Sequence, residues 1–114
     1  MGIKEKITGN VAIVKVSGKL MGGPETDELH DKVKSLISDN INKIVIDLSK
    51  VKWMNSLGIG ILMSCFTSSA VAGGGVILAG ATEKVNSLLV ITQLISLFEH
   101  YETVDEAITA FENK

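Results

Sequence analysis

This sequence predicts an α/β fold: a mixed sheet of about five strands with amphipathic helices packed on it. Three observations carry that reading. Short β-branched runs at 11–17, 43–48 and 76–79 alternate with stretches whose apolar residues recur at helical spacing. The pair Gly9-Asn10 separates two strand-like segments and reads as a two-residue hairpin. Strands joined through helices pair in parallel by right-handed crossovers, so only the hairpin is antiparallel. With 114 residues, the chain makes one domain, 1–114, because domains usually run to ~100–150 residues.

The first strand spans 3–7 and carries Lys4 and Lys6, which suits an edge. The second alternates Ala12, Val14 and Val16 against Val11, Ile13 and Lys15, and its two apolar faces suit an interior position. Residues 18–23 read as a loop, and Pro24 suits the first turn of the following helix. Glu25, Asp27 and Glu28 lie near that helix's positive end, and Leu29, Val33, Leu36 and Ile37 form its apolar stripe. A strand at 43–48 leads into a second helix, which runs to about residue 72 and is stopped by Gly73-Gly74-Gly75. Its core side is expected to be Ile59, Leu62, Met63, Phe66 and Ala70. The opposite side, with Gly58, Ile61, Cys65, Ser68, Ser69 and Ala72, is small and nearly uncharged, so it is either covered or available to be covered. A short strand at 76–79 follows, and then a helix capped by Thr82 that contains Val85, Leu88 and Leu89. A turn through Thr92, Gln93, Leu94 and Ile95 reaches a last strand at 98–101. Thr103 and Glu106 form a capping box for a final helix with Val104, Ala107, Ile108 and Phe111 turned inward.

Composition excludes several function classes. The net charge of −2 supplies no basic footprint for nucleic acid or anionic lipid. Apolar runs fall short of the ~18 residues that a membrane span needs. Lys4, Glu5 and Lys6 stand where an export signal would be apolar, and the lone Cys65 fits a reducing cytoplasm. Aromatic content of 4% argues against a carbohydrate or base-stacking site. No catalytic constellation emerges. His30 and His100 lie on separate elements, Cys65 lacks a second thiol, and no Lys-Ser/Thr pair follows the triple glycine. Asp47, at a strand's carboxyl end, reads as a hydrogen-bond acceptor fixing the segment after it. No cofactor is expected.

The residues that stand out are Asn55-Ser56-Leu57-Gly58-Ile59-Gly60. Ser56 is placed to cap the second helix, and Gly58 and Gly60 strip its first turn of side chains. Each glycine costs a helix roughly 1 kcal/mol relative to alanine, which asks for a reason. Close packing against the sheet is one; approach by a partner is the other.

Read from Asp47, the pattern Asp-Leu-Ser-x-Val-x-Trp-Met-Asn-Ser-x-Gly-Ile-Gly resembles the signature of the STAS domain, the sulfate transporter and anti-sigma factor antagonist family. The resemblance covers about the whole chain. In stand-alone bacterial members of that family the loop reads Asp-Ser-(Ser/Thr)-Gly-(Leu/Ile)-Gly, and its first serine is phosphorylated by an anti-sigma factor that is also a kinase. That serine falls on Ser56. The resemblance implies an anti-sigma factor antagonist that is no enzyme itself. Its partners would be the kinase, which brings its own ATP and magnesium, and a resetting phosphatase. The expected contact residues are Met21, Asn55, Ser56, Leu57, Gly58, Ile61 and Cys65. Asn55 and Leu57 depart from the family's acidic and hydroxyl residues, and Gly18-Lys19-Leu20-Met21 replaces a loop of the form Gly-(Glu/Asp)-(Ile/Leu)-Asp. Two further readings are a scaffold or sensor module without phosphorylation and a subunit of a lipid or anion transport complex.

Overall fold

The computed structural model describes residues 2–93 and 96–114. One sheet runs through the molecule in the order β1-β2-β3-β4-β5. The strands are β1 (Gly2–Thr8), β2 (Val11–Leu20), β3 (Lys43–Met54), β4 (Gly75–Ala79) and β5 (Glu99–Tyr101). The helices are α1 (Pro24–Ser38), α2 (Ser56–Val71), α3 (Glu83–Ile91) and α4 (Val104–Glu112). β1 and β2 pair antiparallel across the Gly9-Asn10 turn, where Gly9 takes φ 61°; every other pairing is parallel. The predicted fold class and strand directions therefore hold. Leu94 and Ile95, read from the sequence as part of a turn, lie outside the described residues.

Alternation along the strands divides the core in two. Ala12, Val14, Val16, Ile44, Ile46, Leu48, Val76 and Leu78 face a layer made by α1, α2 and α3. Val11, Val45, Ile77 and Ala79 face α4 through Ala107 and Phe111. Burial on both faces explains why β2 and β3 read as near-continuous apolar runs. The α1 stripe is as predicted, with Leu29, Val33 and Leu36 buried. Thr82 and Thr103 cap α3 and α4 by accepting from the Val85 and Glu106 amides at 3.3 and 3.1 Å.

Two boundaries differ from the sequence reading. Residues 18–20, read as loop, are strand, and the strand expected at 43–48 runs on to Met54, because β2 and β3 stay paired past two register shifts as far as Leu20 beside Met54. Extending both strands carries the start of α2 well beyond the end of β4. The faces of α2 are also shared differently. Ile59 and Leu62 are buried as expected, but so are Gly58, Cys65 and Ser69, whereas Ala70 is exposed. The cause is α1, which lies along the uncharged side of α2 and joins it where His30 Nε2 meets Ser68 Oγ at 3.2 Å.

Candidate functional site

At the far end of β3, Asn55 organises the surroundings of α2. Its backbone is extended (φ −113°, ψ −170°), and its Oδ1 accepts from the Leu57 and Gly58 amides at 3.0 and 3.1 Å. Asn55, not Ser56, is thus the N-cap, and Ser56 is the first helical residue. The sequence offered two adjacent cap-forming side chains, and only the one whose backbone stays extended can turn back onto those amides. The same asparagine reaches sideways: its Nδ2 donates to the Met21 carbonyl at 3.1 Å, and its own amide donates to the Leu20 carbonyl at 3.2 Å. Below, Gly22 N donates to the buried Thr26 Oγ1 at 2.8 Å, fixing the loop between β2 and α1.

These bonds gather four of the seven predicted contact residues on one outer surface. Ser56 is exposed and relieved of capping duty. Leu57, 60% exposed, leans over Gly22, and Met21, 43% exposed, belongs to the same loop. Two apolar side chains thus stand in solvent beside a serine hydroxyl at the positive end of a sixteen-residue helix. The first turn of α2 itself contains no acidic side chain to oppose a negative charge on Ser56.

The other three residues lie elsewhere. Gly58 is buried against the Leu20 backbone, so its missing side chain serves packing inside the molecule. Gly60 differs: a Cβ there would meet nothing within 4 Å. Cys65 is fully buried, and burial pushes its thiol up to about 12. A thiol held protonated in the core is neither a nucleophile nor a surface contact. Ile61 is half-buried and packed against the core. Gly58 and Cys65 therefore leave the contact surface, because α1 and the end of β2 already occupy the space beside them.

Asp47 behaves as read, its Oδ1 accepting from Ser49 N at 2.9 Å. His100 is exposed on β5. Among the described residues, no three His, Cys, Asp or Glu side chains group as metal ligands, and no helix is long and apolar enough to cross a membrane. Trp53, part of the sequence pattern but given no role there, is 39% exposed near the outer end of β3, beside α3 residues Leu88 and Ile91. Its position follows from the continuation of β3 beyond residue 48, where the sequence reading ends the strand.

The model of the STAS domain matches residues 3–107 of this chain. The chain belongs to the STAS-domain family. A Thermotoga neapolitana protein that carries the provisional name anti-sigma factor antagonist is 31% identical over 72 residues. That alignment takes in 63% of this chain and 64% of the relative's length, less than two thirds of either. The crystal structure of a Thermotoga maritima protein, provisionally named in the same way, superposes with a TM-score of 0.88 at 25% identity, covering 96% of this chain and 94% of that one. The unphosphorylated anti-sigma factor antagonist SpoIIAA superposes with a TM-score of 0.83 over 99% of this chain and 98% of that one. At 16% identity, that likeness concerns the fold alone.

Proposed function

We propose that this STAS domain is a bacterial, cytoplasmic anti-sigma factor antagonist, a transcription regulator switched by phosphorylation at Ser56. The observation that carries the proposal is an exposed serine on the first turn of α2, flanked by the solvent-facing Leu57 and Met21 and freed from capping by Asn55. Unphosphorylated, Met21, Asn55, Ser56 and Leu57 form the contact surface for an anti-sigma factor, which then releases its sigma factor. The protein is the substrate of the chemistry and not its agent. A partner kinase transfers the terminal phosphoryl group of ATP to the Ser56 oxygen, and a phosphatase hydrolyses the ester.

Phosphorylation adds roughly −1.5 to −2 charges at neutral pH. Within the STAS domain that charge sits at a helix N-terminus, where anions are stabilised. For a partner seated on Leu57 and Met21 the same charge must be desolvated or repelled, and about 1.4 kcal/mol of such penalty is a tenfold loss of affinity. Calorimetry against candidate anti-sigma factors, with mass spectrometry after incubation with ATP, tests the reading. Ser56→Ala should bind and take no phosphate; Ser56→Asp should fold but bind at least about tenfold more weakly. Equal affinity of Ser56→Asp and the parent protein would favour a module that works without phosphorylation.

A further inference from the structure

Strand register brings together charges that are far apart in the sequence. Lys4 on β1 lies directly opposite Lys15 on β2, and Ser17 on β2 pairs with Lys50 on β3. Val16, between Lys15 and Ser17, is fully buried under the layer of α1, α2 and α3, so Lys15 and Ser17 turn to the other face of the sheet. That face is covered by α4 only around Val11, Val45, Ile77 and Ala79, and the part carrying Lys15 remains open. There, Gly2, Ile3, Lys4, Lys15, Ser17 and Lys50 line a concavity of about 340 Å³. Like charges directly opposite one another across a strand pair destabilise a sheet, so a lysine facing a lysine is an arrangement that a bound anion would relieve. The carboxylates of these three strands do not line it. Glu5 is engaged at 3.0 Å by Lys32 of α1 on the opposite face. Asp47, next to Lys15 in the parallel register, accepts from the Ser49 amide. The protein has 13 acidic side chains against 11 lysines, and the net charge of −2 conceals this local surplus of positive charge.

We propose that the concavity lined by Lys4, Lys15 and Lys50 is an anion site for a phosphate-bearing ligand. The three ammonium groups supply charge to more than one phosphate oxygen, and Ser17 Oγ, now donating to the Gly2 carbonyl at 3.3 Å, is a neutral donor at the rim. The phosphate belongs either to a soluble polyphosphate ester or to the headgroup of an anionic lipid. The site is independent of Ser56 and stands whether or not that residue is a switch.

The test uses the full chain with inorganic pyrophosphate, followed by NMR and calorimetry, and then vesicles of phosphatidylcholine with and without phosphatidylglycerol. Pyrophosphate should bind saturably and shift the amide resonances of Lys4, Lys15 and Lys50. Lys15→Gln should weaken binding about tenfold, while Lys34→Gln on the exposed side of α1 should leave it unchanged. Co-sedimentation with the anionic vesicles alone, reversed by pyrophosphate, assigns the phosphate to a lipid; saturable binding without co-sedimentation assigns it to a soluble ligand. Equal effects of the two substitutions, or no resonance shift at millimolar pyrophosphate, overturn the proposal. Thermal melts of Lys15→Gln establish that the fold is intact.

Discussion

Gly58 and Leu20 are in direct backbone contact: a Cβ on residue 58 would collide with the Leu20 carbonyl oxygen and stand 2.7 Å from the Leu20 Cβ. α2 lies this close to the end of β2 because residue 58 carries nothing larger than hydrogen. Helix propensity alone would make Gly58→Ala stabilising by roughly 1 kcal/mol. We expect the opposite, a loss of about 1–3 kcal/mol from overpacking, read in urea melts. A gain in stability would mean that the helix does not lie this close to β2.

The cap and the proposed switch are neighbouring residues and should separate on mutation. Asn55→Ala removes the acceptor for two amides and should cost about 0.5–2 kcal/mol. Ser56→Ala, at an exposed position, should stay within about 0.5 kcal/mol of the parent. If the two losses were reversed in a chemical denaturation series, Ser56 would be the cap after all.

Phe66 meets Phe98 edge-on, with ring centroids 5.4 Å apart and planes at 74°. Phe98 is buried, but Phe66 is only partly so. Phe66→Ala should therefore cost about 3 kcal/mol, the lower end of the range for large core aromatics. A double-mutant cycle with Phe98→Leu should return a coupling of about 0.5–1.5 kcal/mol. Additive losses would show that the ring pair is incidental.

The Cys65 thiol titrates near 9.0 when exposed and is pushed up to about 12 by burial in the fold. The unfolded chain therefore loses this proton first as the pH rises. The stability associated with the neutral thiol is complete below pH 9.0 and declines as the pH climbs towards about 12. Melts of the parent protein should lose stability over that alkaline range more steeply than melts of Cys65→Ala. Thiol-directed reagents should label the native protein only as fast as it opens; rapid labelling would place the sulfur at the surface.

Much of this architecture was legible in the amino-acid pattern. Alternation in β2, the spacing Leu29/Val33/Leu36 in α1 and the Thr103/Glu106 box are local signals, each tied to one strand or helix period. The path of β3 past Leu48 was not. Its exposed Ser49, Lys50 and Lys52 resemble a loop, and pairing with residues 17–20 is a long-range fact that includes register shifts. The α2 faces misled for another reason: a helix buried on one side by a sheet and on another by α1 is apolar in most directions, so periodicity cannot say which side is which. Of the candidate site, Ser56 could be singled out from the motif and its exposure is seen in the fold, but the cap at Asn55 depended on a backbone angle. The meeting of Lys4, Lys15 and Lys50 depended on register alone.

Asn55 also acts as a latch. An aspartate there could accept from the same two helix amides, but it has no hydrogen to offer the Met21 carbonyl and would set two oxygens against each other. The amide nitrogen of Asn55 is what fastens the β2–α1 loop to the first turn of α2, so Met21 and Leu57 hold a fixed spacing before anything touches them. A partner docking at this end of the molecule would meet a loop already tied to the helix by hydrogen bonds, which lowers the cost of ordering it. Under the proposed switch, a message written on Ser56 would be carried by what the surface repels and would need no rearrangement of the chain beneath it.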